Sequence, residues 1–202
     1  VLRLLRNRLR MQRDFAAHPE IAEQTVTAPI VICGMARTGS TKLQKLLAAS
    51  GDFNWLPYWQ SLNPCLYTGS RDESPQPRIE DTDRFVAHLN EVSPTARLGH
   101  EYQTHEPEEE YFLMMHCLRL PLLGATQLTG YMQWLMSRDT MKFQQEYLRD
   151  TLKYLQWQGL ATQSRHWVLK APHYFGNEPA IRAVFPDARF VMTHRHPKET
   201  IP

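Results

Sequence analysis

The sequence contains few cysteines, no long apolar run and almost no excess of charge. Cys33, Cys65 and Cys117 stand far apart without paired spacing, which argues against a zinc site or a disulfide framework and predicts buried thiols in a reducing compartment. No stretch approaches the roughly 18 consecutive apolar residues of a membrane span. A net charge of +2, from 23 Lys and Arg against 21 Asp and Glu, does not indicate nucleic-acid binding. We therefore expect a cytoplasmic protein without an integral membrane segment.

The composition is that of an ordinary globular protein. With 202 residues, of which 42% are hydrophobic, the chain is long enough for one domain with its own core. The first residue is valine, and the last residues follow directly after a predicted strand and turn, so we expect a truncated chain. The sequence does not indicate an oligomeric state.

An amphipathic helix is predicted at the start of the chain. Leu2, Leu5 and Leu9 recur at helical spacing and are expected to pack against the rest of the protein. A parallel basic stripe lies about 100° further round the helix, at Arg3, Arg6, Arg10 and Arg13. Because rows of like charge usually face water, we interpret the stripe as a solvated face rather than as a patch for lipid or nucleic acid.

Short apolar segments rich in β-branched residues predict buried strands at 29–33, 166–170 and 188–193. Helical patterns occur at 42–50, 80–92, 106–118 and 139–158, with a shorter one between the second and third strands. This alternation favours the α/β class, with a central parallel sheet. The segment 52–78, rich in Pro, Asn, Ser and Gly, is expected to be irregular and to border a site.

A glycine-rich segment, GMARTGST from Gly34 to Thr41, connects the first predicted strand to the next helix. In that position, backbone N–H groups and a helix N-terminus can hold a phosphate. The spacing of the two glycines is that of a nucleoside-triphosphate loop, but Ser40 stands where such loops have lysine, and the cation is Arg37 inside the loop. A sulfuryl group carries less charge than a terminal phosphoryl group, so one arginine with hydroxyl and amide donors could hold it without a metal.

Several motifs together resemble the large, mostly bacterial branch of the sulfotransferases. The loop R-T-G-S-T is similar to the family's phosphosulfate loop, with Ala36 in place of its proline. The branch also shows a basic N-terminal helix, a P-E-E segment and an L-K-[SA]-P motif, and this chain has the last two at 107–109 and 169–172. The segment from Trp167 to His173, followed by Phe185 to Phe190 and Thr193 to Pro197, is similar to the family's second half-site. These features occur in the family's order and span nearly the whole chain.

The resemblance implies transfer of a sulfuryl group from 3′-phosphoadenosine 5′-phosphosulfate to the hydroxyl of a small acceptor, without a metal. It implies a P-loop-like three-layer α/β/α fold with helical insertions. The expected domain is a single one, 1–202, that lacks its C-terminal part. It would comprise an N-terminal helical segment at 1–28 and a donor-binding core at 29–202, with a helical insertion at about 52–160.

The resemblance also implies roles for individual residues. The 5′-phosphosulfate would be held by the loop, at Gly34, Arg37, Thr38, Gly39, Ser40 and Thr41. Arg195 would bind the 3′-phosphate through its planar guanidinium group. Lys170 would lie beside the bridging oxygen of the donor and stabilise the charge that develops on the leaving phosphate.

The general base is ambiguous in the sequence. Relatives have a glutamate where this chain has Gln60, which cannot accept a proton. The first replacement is His173, three residues after Lys170, because an imidazole titrates near neutral pH. The second is the acidic cluster of Glu106, Glu108, Glu109 and Glu110, in which Glu108 and Glu109 directly follow Pro107. Those carboxylates could instead serve only the start of a helix.

Two other readings of the sequence remain. A P-loop kinase or nucleotidase would need a Walker lysine and a magnesium-binding aspartate, and neither is evident. A non-enzymatic nucleotide-binding or membrane-associated module would use the arginine stripe, and Gln60 is the best argument for it. The sequence also offers a suggestion about the acceptor. Aromatic residues between Trp55 and Phe112 suggest an apolar or aromatic alcohol. His100 and His105 are interpreted as loop histidines.

Overall fold

A three-stranded parallel sheet forms the centre of the protein. The computed structural model describes residues 1–94, 100–119, 129–196 and 198. The strands are β1 (Ile30–Cys33), β2 (Val168–Lys170) and β3 (Arg189–Met192), in the order β2-β1-β3. Val31 of β1 pairs with Leu169 on one side and with Phe190 on the other. The predicted parallel α/β sheet is confirmed, and all three strands end at the same edge.

Helices flank this sheet. In chain order they are α1 (Leu2–Ala17), α2 (Ser40–Ala49), α3 (Tyr58–Leu62), α4 (Gln76–Val92), α5 (Tyr111–Met114), α6 (Thr129–Met136), α7 (Met141–Trp157) and α8 (Glu178–Arg182). Single 3₁₀ turns occur at Pro19–Ile21, Met115–Cys117 and Pro172–Tyr174. The main core packs apolar residues of α5, α7 and α8 against the sheet, among them Leu113, Leu152, Leu155, Leu169 and Ile181.

The helix predicted over 106–118 is wrong in its first part. This part of the chain pairs with residues 56–59 instead: Tyr58 N–H donates to the Glu106 carbonyl at 3.1 Å, and Glu108 N–H donates to the Leu56 carbonyl at 2.9 Å. Because these backbone groups have extended-chain partners, the helix begins only at Tyr111.

Helix α1 packs by a different face from the predicted one. Its buried residues are Leu4, Asn7, Met11 and Asp14. Leu2, Leu5 and Leu9 are 70%, 41% and 67% exposed, so the expectation that they pack against the protein is wrong. The amphipathic pattern is correct, but the stripe of leucines faces solvent.

Buried polar contacts hold α1 in this orientation. Asn7 Nδ2 donates to the Leu62 carbonyl at 3.0 Å and lies 2.9 Å from His116 Nε2. The Tyr154 hydroxyl donates to Asp14 at the other end of the same face. A buried amide or carboxylate without a partner is costly, so these contacts determine which side of the helix turns inward.

The three cysteine side chains are buried and free, as the sequence predicts. Within the described ranges, no helix combines the length and apolar character that a membrane crossing requires.

Candidate functional site

The carboxyl end of β1 runs into the glycine-rich loop and then into α2. Arg37 has a φ of 66° and Gly39 a φ of 92°, so two residues of the loop adopt the left-handed backbone conformation before the helix begins. No side chain caps α2, whose first backbone N–H groups therefore remain open toward the loop. Left-handed backbone at a non-glycine residue such as Arg37 is uncommon and is typical of functional loops. The arrangement suits an anion.

The loop is held against the end of β3. The Thr38 and Thr193 hydroxyl oxygens are 2.7 Å apart, and Thr193 N–H donates to the Cys33 carbonyl at 2.9 Å. Gly34 lies so close to β3 that a Cβ atom there would be 2.5 Å from the Thr193 carbonyl oxygen. Glycine is therefore required at this position by space as well as by its φ of 147°.

A cavity of about 130 Å³ opens at this edge of the sheet. Its lining includes Arg37, Ser40 and Thr41 from the loop, and Lys170, Glu109 and His100 from the opposite side. Lys170 ends β2, is only 6% exposed and donates from Nζ to a carboxylate oxygen of Glu109. The cavity therefore places a buried cation and a carboxylate opposite an anion-binding loop.

The extended segment that pairs with residues 56–59 brings three consecutive glutamates to the sheet, where they take three different partners. Glu108 accepts from Glu109 N–H at 2.8 Å and lies 2.7 Å from His100 Nε2. Glu109 bonds to the Lys170 ammonium group, and Glu110 accepts from Lys170 N–H at 2.9 Å. The main chain and the side chain of Lys170 are thus both fixed by this segment.

Glu110 is a buried carboxyl behind the cavity. Burial raises its pKa to about 7, and the hydrogen bond from Lys170 N–H partly offsets that rise. Its carboxylate bonds to the main chain at the end of β2, and Glu110 does not line the cavity. Glu110 belongs to the acidic cluster that the sequence offers as a source of the general base, and the structure directs its carboxylate to the Lys170 main chain instead.

His100 was not predicted as a site residue. It lines the cavity, and the hydrogen bond with Glu108 raises its pKa despite partial burial. The only sequence signal was its short distance along the chain from the glutamates, which did not distinguish it from His105. The prediction that His100 lies in a loop is confirmed, but it did not include the hydrogen bond between His100 and Glu108.

A second cavity, of about 250 Å³, adjoins the first. It is lined by Arg37, Gly39, Ser40, Thr41 and Arg195. Three of these residues, Arg37, Ser40 and Thr41, line both cavities. The loop therefore lies between a site that ends at Lys170 and a site that ends at Arg195.

The structure does not bring His173 to these cavities. It lies in the turn after β2, with its ring 5.7 Å from that of Tyr111 and 4.9 Å from that of Tyr174. Both ring nitrogens are buried without a hydrogen-bond partner among the described residues. Burial lowers the pKa of His173 to about 4. Gln60 is also buried, in α3, and lines neither cavity.

His100, Glu108 and Glu109 could in principle hold a metal ion, since one potential ligand atom of each lies within 4.8 Å of the others. Glu109 is already paired with the Lys170 ammonium group, which would repel a cation. The arrangement therefore favours an ion-pair network rather than a metal centre.

The parallel sheet with a glycine-rich loop after its central strand defines an α/β protein of the P-loop-like kind. A model of the Sulfotransferase family matches residues 29–202. Because this match covers most of the sequence, the chain belongs to the sulfotransferase family. Comparison with curated protein sequences finds no match.

Two solved structures are similar to this chain. Sulfotransferase STF9 from Mycobacterium avium has a TM-score of 0.71 and 26% identity over 96% of this chain and 49% of its own. Sulfotransferase STF1 from Mycobacterium tuberculosis H37Rv has a TM-score of 0.71 and 25% identity over 97% of this chain and 53% of its own. The chain spans about half the length of these relatives.

Proposed function

We propose that the protein transfers a sulfuryl group from 3′-phosphoadenosine 5′-phosphosulfate to an acceptor hydroxyl. The observation that carries this proposal is the pair of adjoining cavities that share the loop, one ending at Lys170 and the other at Arg195. A donor with phosphate groups at both its 5′ and 3′ positions needs two such anion sites side by side. A nucleoside triphosphate needs a single linear series of phosphates and a loop lysine, where this chain has Ser40.

In this proposal the loop binds the 5′-phosphosulfate. The open N–H groups at the start of α2 and the Arg37 guanidinium group would receive its charged oxygens. The Ser40 and Thr41 hydroxyls would add neutral donors. Arg195 would bind the 3′-phosphate across the second cavity.

Lys170 and Glu109 would divide the chemistry of an in-line transfer. The acceptor oxygen attacks sulfur while the bond from sulfur to the bridging oxygen breaks, and the negative charge moves to the leaving phosphate. Lys170 Nζ would stabilise that charge, and the Glu109 carboxylate would take the hydroxyl proton. Donor binding would replace the contact between Lys170 and Glu109 and free the carboxylate for this task.

Glu109 is the more favourable base because it lines the cavity with Lys170, whereas His173 does not. Glu108 is nearly buried and is held by His100 and by Glu109 N–H. We infer that Glu108 orients Glu109 rather than accepts the proton itself.

Aromatic rings lie beside His100, the residue of the cavity lining next to which we place the acceptor. The Tyr102 ring centroid lies 4.5 Å from that of His100 and 5.5 Å from that of Phe112. Tyr102 and Phe112 are both half-buried. Such a border favours an apolar or aromatic alcohol. The proposed function is tested by the release of adenosine 3′,5′-bisphosphate from the donor in the presence of alcohols of this class.

The donor assignment predicts that adenosine 3′,5′-bisphosphate binds more tightly than ATP and does so without magnesium. The physical reason is the absence of the loop lysine that would neutralise a triphosphate. Titration calorimetry with each nucleotide, with and without a chelator, measures this directly. Tighter and magnesium-dependent binding of ATP would contradict the assignment and favour a kinase or nucleotidase.

Arg195→Ala should weaken binding of adenosine 3′,5′-bisphosphate roughly 10- to 150-fold, the equivalent of the ~1.5–3 kcal/mol of a hydrogen bond to a charged group. Binding of adenosine 5′-phosphosulfate, which lacks the 3′-phosphate, should be nearly unchanged. Arg189→Ala is the matched control, because Arg189 is an exposed arginine at the opposite end of β3. Equal losses for both nucleotides would show that Arg195 acts on folding.

A further inference from the structure

A second basic site lies between α1 and α4. The cavity there has a volume of about 430 Å³ and shares no lining residue with the two cavities at the loop. Four guanidinium groups line it, from Arg3, Arg6, Arg10 and Arg84. They face one carboxylate, that of Asp81. The chain as a whole has a net charge of only +2, so this concentration of positive charge is local.

Two of the three arginines that α1 contributes to this cavity lie over aromatic rings. The Arg3 guanidinium carbon lies 4.5 Å from the centre of the Phe85 ring, and that of Arg10 lies 4.1 Å from the centre of the Tyr67 ring. Asp81 is occupied by the Tyr67 hydroxyl and by Arg84. Within residues 1–94, 100–119, 129–196 and 198, the α1 arginines that line the cavity, Arg3, Arg6 and Arg10, form no ion pair with a carboxylate.

One donor in this cavity, the Nε–H group of Arg3, lacks an acceptor among the described residues. This group is buried. Burial also lowers the pKa of Arg3, because the charged form has lost water. A buried donor without a partner is costly, and an anionic oxygen in the cavity would satisfy it.

The exposed leucine stripe of α1 adjoins this cavity. Leu2, Leu5 and Leu9 lie about 100° round the helix from the arginines, on the side away from the protein. The buried contacts of Asn7 and Asp14 hold the helix in this orientation. A helix with an exposed apolar stripe bordered by arginines has the character of a helix that lies at a membrane surface.

We propose that α1 lies on an anionic membrane, with Leu2, Leu5 and Leu9 in the outer acyl layer and a lipid phosphate in the arginine cavity. The positive charge of the cavity complements the anionic headgroup, and the adjacent leucines suit the lipid acyl chains below it. A soluble phosphate would account for the arginines and leave the leucines unexplained. This site is separate from the donor cavities and does not depend on the proposed sulfuryl transfer.

Vesicle sedimentation tests the proposal. The protein should sediment with vesicles of phosphatidylcholine and phosphatidylserine and remain in solution with phosphatidylcholine alone. Binding should weaken as salt is raised, because the attraction is screened. Arg6→Gln with Arg10→Gln should weaken binding roughly 30-fold, which corresponds to about 1 kcal/mol for each basic residue near the surface. Leu5→Ser with Leu9→Ser should weaken it roughly 10-fold or more.

Matched variants separate this site from general effects of charge and apolar surface. Arg138→Gln with Arg165→Gln removes two exposed arginines elsewhere, and Val92→Ser with Met136→Ser removes two exposed apolar side chains. Both control pairs should bind vesicles as the unchanged protein does. Circular dichroism and the thermal midpoint should be similar for all variants, because every substituted residue except the partly buried Arg10 is exposed.

Three results would overturn the proposal. The first is equal binding to neutral and anionic vesicles. The second is a loss of binding in the control pairs as large as in the α1 pairs. The third is binding of glycerophosphoserine or a DNA oligonucleotide that depends on Arg6 and Arg10 in a protein that does not bind vesicles. The last result would assign the cavity to a soluble phosphate or to a nucleic acid.

Discussion

Glu109→Gln is expected to lower turnover by roughly 10²–10⁴-fold, the range for loss of a positioned general base. The amide keeps the shape of the side chain and its ability to accept from Lys170, but it cannot take the proton of the acceptor hydroxyl. Affinity for adenosine 3′,5′-bisphosphate should stay the same or increase, because the ion pair that competes for Lys170 is weakened. Steady-state kinetics with an alcohol acceptor, together with calorimetry, measure the two effects separately.

His173→Ala and Gln60→Glu are the comparison variants for this prediction. His173 has both ring nitrogens buried, so its removal should affect stability while leaving turnover near normal in the folded fraction. Gln60 lines neither cavity, so a carboxylate there should not raise turnover. If His173→Ala lost activity while Glu109→Gln retained it, the histidine favoured by the sequence would be the base. A strong gain from Gln60→Glu would instead indicate a weakened member of a glutamate-base family.

Lys170→Met is expected to lower turnover by roughly 10²–10³-fold, the cost of removing one donor from a developing negative charge. Methionine retains much of the buried side-chain volume and removes the ammonium group. Because the charge on the leaving phosphate grows mainly in the transition state, turnover should fall much more than the affinity for the intact donor, which does not yet carry that charge. Lys142→Met, on the exposed side of α7, is the control and should change neither quantity.

The Lys170 and Glu109 variants should also be strongly non-additive. The two side chains are in contact in the absence of donor, so each single substitution leaves a poorly exposed partner without its counter-charge. The double variant Lys170→Met with Glu109→Gln removes both charges and should unfold at a higher temperature than Lys170→Met alone. Additive effects on turnover and on the thermal midpoint would mean that the two groups act independently, contrary to the proposed exchange of partners.

The sequence was sufficient for the parts of the protein that depend on local patterns. The strand at 30–33 is a run of apolar residues, of which the last three are buried, and the glycines at 34 and 39 permit positive φ angles in the loop that follows. Each of these features follows from the residues themselves, because apolar character, β-branching and the absence of a Cβ atom are properties of single positions. The order of strand, loop and helix therefore predicted a parallel α/β sheet with an anion-binding loop.

The three consecutive glutamates could not be told apart in the sequence. Glu108 faces His100, Glu109 faces the Lys170 side chain and Glu110 faces the Lys170 main chain. Which carboxylate has which partner depends on the pairing of this segment with residues 56–59, which are about 50 positions away along the chain. Long-range backbone pairing of this kind leaves no periodic signal.

The sequence by itself determined that α1 is amphipathic, and only the tertiary structure decided which side of it is buried. Two sets of apolar residues recur at helical spacing: Leu2, Leu5 and Leu9, and the pair Leu4 and Met11. The second set is buried because Asn7 and Asp14, on the same face, find His116 and Tyr154 as partners. Burial of polar groups is favourable only where partners exist, and those partners are more than 100 positions away along the chain.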